Sequence, residues 1–152
     1  MRARALVLLV LVLAAALAGC GGSDAGRGDY VKALNTAQTG LAQRFTQLQS
    51  RITPTSSAKH DQKTLLDYEA AVRTTVGDLR AIEPPDGFEA LHGRFVGQVA
   101  DYGTALRTAR AELDGDDPRA ILAAQARLKT AVAQTGRRLN ATIRAINQKL
   151  KG

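Results

Sequence analysis

Residues 118–151 read PRAILAAQARLKTAVAQTGRRLNATIRAINQKLK and form the longest segment with one hydrophobic period. Apolar residues recur there in steps of three and four, which is the spacing of one face of an α-helix. The positions in line are Ile121, Gln125, Leu128, Val132, Thr135, Leu139, Ile143, Ile146 and Leu150. A helix of this length spans about 51 Å. The segment therefore predicts a long amphipathic helix that buries one stripe.

Three earlier segments have the same period. Their apolar positions run from Val31 to Ile52, with Gln38 in line, from Leu65 to Ile82, and from Phe88 to Leu113. No stretch alternates apolar and polar residues as a half-buried strand would. The chain after Tyr30 is therefore predicted to be all-α.

The residues between these segments are typical of helix ends. Thr53-Pro54-Thr55-Ser56-Ser57 ends the first segment, and Asp61 can cap the second helix. Glu83-Pro84-Pro85 ends the second segment, and Asp86 with Glu89 resembles a capping box that opens the third helix. Asp114-Gly115-Asp116 ends the third segment, and Asp117 can cap the fourth helix, which has Pro118 in its first turn. Short links between long helices favour antiparallel neighbours. We predict an antiparallel up-down-up-down four-helix bundle. The alternative is an extended two-helix or oligomeric coiled coil.

Length and composition limit the function classes. The 152 residues are enough for one compact domain. One Cys excludes a disulfide within the chain and a Cys-built zinc site. With no Trp, three Tyr and three Phe, stacking platforms for sugars or bases are not expected.

The first nineteen residues have the order of an export signal. Arg2 and Arg4 precede the uninterrupted apolar run 5–18. As a helix this run spans about 21 Å, short of the roughly 30 Å of a hydrocarbon core. An export signal is therefore favoured over a permanent transmembrane helix.

The apolar run ends in Leu17-Ala18-Gly19-Cys20, which resembles the lipobox of bacterial lipoproteins. The resemblance implies that the Cys20 thiol carries a diacylglycerol and that Cys20 becomes the mature N-terminus. Two acyl chains retain a protein at a membrane where one chain binds only reversibly. The alternative is an ordinary secretory signal with a chance Cys.

The predicted organisation has three parts. Residues 1–19 are the lipoprotein signal peptide, residues 20–29 are the lipidated Cys and a flexible Gly-rich linker, and residues 30–152 are the helical bundle. The expected location is the extracytoplasmic face of the cell membrane.

The C-terminal segment carries a one-sided charge. Residues 119–152 contain eight basic residues and no acidic one, within a chain of formal charge +7. The side chains expected to contact anionic lipid or a wall polymer are Arg137, Arg138, Arg144, Lys149 and Lys151. The alternative is a solvated basic helix. Nucleic acid is not an expected partner, because export separates the chain from it and no aromatics interleave the basic residues.

No pattern of catalytic or metal-binding residues is present in the sequence. His60 and His92 lie in different segments without a His-x₃-His or His-Glu-x-x-His frame, and no Ser lies in a Gly-x-Ser-x-Gly turn. His92 is expected to be hydrogen-bonded locally at the edge of the core. Glu69 and Arg73, four residues apart, are expected to pair on a helix surface. We expect no enzyme, no metal and no cofactor.

The Ile82-Glu83-Pro84-Pro85 stop, followed by His92, Phe95 and Tyr102, is similar to small helical lipoproteins of high-GC Gram-positive bacteria. This resemblance implies a location and a fold and leaves the activity open. The leading hypothesis is a non-enzymatic lipoprotein that binds or scaffolds an envelope protein. A small-ligand or ion-binding lipoprotein using Gln38, Gln125 and Thr135 is the alternative, and a cryptic enzyme or an enzyme inhibitor is the third.

Overall fold

A computed structural model describes residues 25–51, 58–112 and 118–151. It contains the helices α1 (Ala25–Gln49), α2 (Ala58–Arg80), α3 (Glu89–Glu112) and α4 (Pro118–Lys151), and these described ranges contain no β-strand. Helix α1 packs on α2, α2 on α3, and α3 on α4. The prediction of an all-helical fold with four packed helices is confirmed.

Helix α1 begins earlier than the sequence predicts. Residues 25–29, assigned above to the flexible linker, form its first turn, and residues 26–29 of this turn are exposed. Tyr30 is only 2 % exposed, so the packed part of the helix starts directly after this turn. Extending an existing helix avoids the cost of nucleation, which offsets the low helix propensity of Gly26 and Gly28. Residues 25–29 therefore belong to helix α1 in the structure, although the sequence analysis assigned them to the linker.

Two other predicted helix starts differ from the structure. Helix α2 begins at Ala58, three residues before the proposed cap Asp61. Helix α3 begins at Glu89 rather than after Asp86, and the Glu89 carboxylate accepts a hydrogen bond of 3.0 Å from the Gly87 amide. The Pro84-Pro85 pair lies between α2 and α3 as predicted. The predicted breaks at 53–57 and 114–117 lie outside the described residues.

The predicted apolar stripes form the core. Val72, Phe95 and Ile143 are each 1 % exposed, and full burial of such side chains contributes about 1.5–3 kcal/mol each. The core also contains Val96, which lies outside the predicted stripe. At the C-terminal end of α4, Leu150 is half-buried against the core, whereas Leu122 near the N-terminal end is 64 % exposed.

Aromatic side chains join α1 to the other helices at two places. The rings of Phe45 and Tyr68 meet edge to face at 4.8 Å, and Phe45 lies 5.6 Å from the Tyr102 ring. Near the start of α1, the Tyr30 ring lies 5.9 Å from Phe88. Five of the six aromatic residues of the chain therefore position α1.

Helices α2 and α3 approach closely at Gly103. A Cβ atom at this position would lie 3.2 Å from Val72 Cγ1, tighter than an ordinary contact. An ion pair lies at the same interface, where Arg110 Nε donates to Glu69 Oε1 at 2.7 Å. The expected pairing of Glu69 with Arg73 is therefore wrong, because Glu69 reaches across to α3 instead of along its own helix.

Candidate functional site

Five of the basic residues of α4 form two groups that differ in what they contact. In the first group, Arg127 pairs with Glu112 at 3.0 Å and Arg138 with Asp101 at 3.6 Å, both across the interface with α3. These pairs are largely exposed and contribute little to stability, typically about 0–1 kcal/mol. They do, however, reduce the positive charge that Arg127 and Arg138 offer to another molecule.

The second group is a line of three side chains, Arg137, Arg144 and Lys151, which we call the basic ridge. The three residues are spaced by seven positions, so they lie on one face of α4 at intervals of about 10.5 Å. All three are exposed, and in the part of the chain that the structure describes no ion pair engages them. Helix α4 contains no acidic residue. The ridge is therefore a linear array of uncompensated positive charge.

Lys149 differs from the ridge, although the sequence places it in the same basic run. Its Nζ donates a hydrogen bond to the Gly87 carbonyl and lies 5.2 Å from the centroid of the Phe88 ring. A cation over an aromatic face is worth about 0.5–1 kcal/mol at an exposed site. Lys149 thus fixes the last turn of α4 on the α2–α3 link.

The α2–α3 link is shaped to receive Lys149. Gly87 has a φ of 80°, a left-handed conformation that side chains with a Cβ rarely adopt. A Cβ at this position would also lie 3.2 Å from Lys149 Nζ. The amides of Glu89 and Gly87, with the charge of Lys149 nearby, hold the pKa of the Glu89 carboxyl below its ordinary value.

Beneath this link, a buried polar group joins three helices. The Tyr30 hydroxyl lies 3.2 Å from His92 Nδ1, and His92 Nε2 lies 3.0 Å from the Leu79 carbonyl oxygen. A carbonyl oxygen only accepts, so Nε2 donates to the Leu79 oxygen, and in the tautomer with its proton on Nε2 the other nitrogen accepts. Tyr30 then donates to Nδ1, and burial raises the pKa of Tyr30 to about 12.

The position of His92 corrects the expectation of a local hydrogen bond. The side chain is buried, at 7 % exposure, and its partners are 13 and 62 residues away in the sequence. Both ring nitrogens are engaged, so the imidazole acts as a buried link between α1, α2 and α3. The residues described by the structure contain no group of three or more His, Cys, Asp or Glu that could hold a metal ion.

The small-ligand hypothesis names three polar residues in the interior, and the structure describes the side chains of two of them. Gln38 is 8 % and Thr135 is 3 % exposed, and the side chain of Gln125 lies outside the described residues. Gln38 Nε2 and Gln98 Oε1 are buried atoms without a hydrogen-bond partner. A surface groove of about 500 Å³ lies between α1 and α2, and neither Gln38 nor Thr135 lines it. These residues are therefore not brought together around that groove.

The predicted lipid attachment site lies outside the described residues, as do the whole signal peptide and residues 17–20. Within the described ranges, none of the four helices has the length and apolar character required to cross a membrane.

Sequence reasoning identified the ridge residues but missed three parts of the surrounding site. It placed Tyr30 at the start of the first helical segment, grouped Lys149 with the cations expected to contact an anionic surface, and assigned no role to Gly87. A single signal was available for Gly87, since Gly shortly after Pro-Pro is typical of a turn with positive φ. The contacts of Tyr30 and Lys149 depend on how the helices pack, which no local motif encodes.

Comparison with known proteins adds no relative to this description. The chain matches no protein-family model, no curated protein and no solved structure.

Proposed function

We propose that this protein is a non-enzymatic lipoprotein held at the extracytoplasmic face of the cell membrane by a lipidated Cys20, where it binds or scaffolds an anionic envelope partner. The leader and the Leu17-Ala18-Gly19-Cys20 motif support the anchor. The basic ridge supports the nature of the partner, because an uncompensated line of positive charge attracts anionic groups.

The proposal includes an up-down-up-down arrangement of the four helices. The single observation that carries it is the contact series from Tyr30 through Phe88 to Lys149. This series brings the beginning of α1 and the beginning of α3 next to the end of α4. The bond of His92 to the Leu79 carbonyl adds the end of α2 to the same group. Antiparallel neighbours would bring these four helix ends together.

This arrangement gives the bundle an orientation at the membrane. Helix α1 begins at Ala25, five residues after Cys20, and five extended residues span at most about 18 Å. The start of α1 would therefore lie close to the bilayer. The end of α4 would lie near the same surface.

A non-enzymatic role agrees with the chemistry of His92. Both of its ring nitrogens are used in hydrogen bonds within the bundle, to Tyr30 and to the Leu79 backbone. A general base needs a nitrogen within reach of its substrate. In this structure His92 links helices, and binding rather than catalysis is the proposed activity.

Fractionation of cells expressing the full chain tests the anchor. The Cys20→Ala variant should move from the membrane to the soluble or secreted fraction, because it has no thiol to acylate. Ser23→Ala is the matched control, since it changes a nearby small residue and leaves the motif intact, and it should stay with the membrane. Membrane retention of Cys20→Ala equal to that of the control would overturn the proposed anchor.

A further inference from the structure

We propose that the basic ridge of Arg137, Arg144 and Lys151 binds a linear polyanion, a polymer with repeated phosphate groups, lying parallel to α4. This inference deepens the proposed function and rests on it in one respect, that the partner is an envelope component outside the bilayer. The ridge itself is a feature of the folded chain and does not depend on lipidation.

The spacing of the ridge favours an extended partner. Its three side chains lie in a line about 21 Å long, with successive residues about 10.5 Å apart. A small anion can contact one of these residues at a time. A polymer that follows the helix axis can contact all three together, and its repeated charges match their regular spacing.

The side chains of the ridge suit phosphate groups. Two of the three are Arg, whose planar guanidinium can donate two parallel hydrogen bonds to a phosphate. All three are exposed and carry no ion pair within the described ranges, so no existing bond must break before a phosphate binds. Arg127, Arg138 and Lys149 are already engaged by Glu112, Asp101 and the α2–α3 link. The three ridge cations are therefore available to a partner, whereas these other three are already engaged within the bundle.

The same geometry fits a flat anionic bilayer less well. In the proposed orientation only the end of α4 lies near the lipid, so Arg144 and Arg137 stand about 10.5 Å and 21 Å farther away than Lys151. At physiological salt, charges are screened over about 8 Å. A bilayer would therefore attract chiefly Lys151.

The ridge also lacks a side chain that would insert into lipid. The large apolar side chains identified as exposed in the described ranges are Leu66, on α2, and Leu122, near the opposite end of α4. Peripheral helices that bind membranes usually bury an apolar face in the headgroup region. The apolar face of α4 is instead buried against the bundle, through Leu139, Ile143 and Ile146.

The test measures binding of long-chain inorganic polyphosphate to the full chain, held in nanodiscs of neutral phosphatidylcholine so that the lipid contributes no net charge. Two triple variants are compared. The first is Arg137→Gln with Arg144→Gln and Lys151→Gln. The control is Arg73→Gln with Arg94→Gln and Arg107→Gln, which removes the same charge from exposed positions on α2 and α3.

We expect the ridge variant to bind polyphosphate at least about 10-fold more weakly than the natural chain, and the control less than about 3-fold more weakly. The slope of log affinity against log salt should become shallower by about 2 in the ridge variant, since each lost phosphate contact removes about 0.7. Triphosphate, too short to join two ridge residues, should bind weakly and should not distinguish the two variants.

Equal losses in the two variants would overturn the proposal, because net charge would then explain binding. A second pair of results would also overturn the proposal. In this case the natural chain in neutral nanodiscs fails to bind polyphosphate, whereas the unlipidated chain binds anionic vesicles through the ridge. The partner of the ridge would then be the bilayer. Neither of these results changes the outcome of the Cys20→Ala fractionation. The polyanion proposal can therefore be wrong while the lipid anchor is right, and the reverse also holds. Urea unfolding of both variants checks that neither has lost its fold.

Discussion

Tyr30 and His92 are 62 positions apart in the chain, and the Tyr30 hydroxyl lies 3.2 Å from Nδ1 of the His92 ring. The second ring nitrogen bonds the Leu79 carbonyl, so one imidazole connects α1, α2 and α3. Lys149 lies over Phe88, which in turn contacts Tyr30. This group of side chains holds the start of α1 beside the end of α4, the relationship on which the proposed orientation depends.

Removing the Tyr30 hydroxyl should weaken the fold. Tyr30→Phe leaves His92 Nδ1 buried without its donor, and a stranded buried acceptor costs about 1–3 kcal/mol. The control Tyr102→Phe makes the same chemical change at a half-buried position and should cost less than about 0.5 kcal/mol. Urea unfolding of the two variants gives the comparison. Equal losses would mean that the hydrogen bond to His92 adds nothing to stability.

Stability should fall in alkaline solution. Burial raises the pKa of Tyr30 and of Tyr68 to about 12, above the value of 10.0 expected when the chain is unfolded. Between pH 10 and 12 the folded state therefore holds more protons than the unfolded state, so the free energy of unfolding decreases as pH rises. Each tyrosine contributes up to about 1.4 kcal/mol per pH unit in this window.

Urea unfolding at several pH values, combined with tyrosinate absorbance, measures this alkaline loss. The Tyr30→Phe variant should show a flatter decrease than the natural chain, because one of the titrating groups is absent. A stability that stays constant from pH 10 to pH 12 would contradict the burial of these hydroxyls.

Substitution of two glycines should have opposite effects. Gly87→Ala puts a Cβ into a left-handed conformation, 3.2 Å from Lys149 Nζ, and should destabilise the protein by about 1 kcal/mol or more. Gly93→Ala adds a Cβ to the exposed face of α3 with no atom within 4 Å, and should stabilise it by up to about 1 kcal/mol. Thermal unfolding of both variants shows whether each substitution raises or lowers stability. A Gly87→Ala variant more stable than the natural chain would contradict the left-handed conformation of Gly87 in the α2–α3 link.

The ion pairs of α2 should differ in strength according to burial. The Glu69 side chain is 11 % exposed in its pair with Arg110, whereas Asp67 is 40 % exposed in its pair with Arg51. A double-mutant cycle should give a coupling energy of about 1–2 kcal/mol for the first pair and less than about 0.5 kcal/mol for the second. A coupling for Arg51–Asp67 as large as that for Glu69–Arg110 would be contrary to this expectation.

Much of the helical core could be predicted from the sequence, because burial follows the three-four period. Val72, Phe95 and Ile143 were expected inside and are buried. The start of α1 could not be predicted, since the glycines before Tyr30 are typical of a linker. In the structure the helix nevertheless begins at Ala25, and its packed part begins at Tyr30, whose ring contacts Phe88 far away in the sequence.

The candidate site was predictable in composition and unpredictable in arrangement. The excess of basic residues in α4 is a property of the sequence. That Arg144 is available while Lys149 is held by Gly87 depends on the register of α4 against the α2–α3 link. Likewise, the partners of His92 arise from the packing of three helices, and no spacing within one helix indicates them.

The central claim is that the chain is anchored through the Cys20 sulfur, and intact-mass and peptide mass spectrometry of the protein purified from its native membrane tests it most directly. We predict a mature chain that begins at Cys20 and carries a thioether-linked diacylglycerol. A chain that begins at another residue, or that has an unmodified Cys20 thiol, would contradict the account.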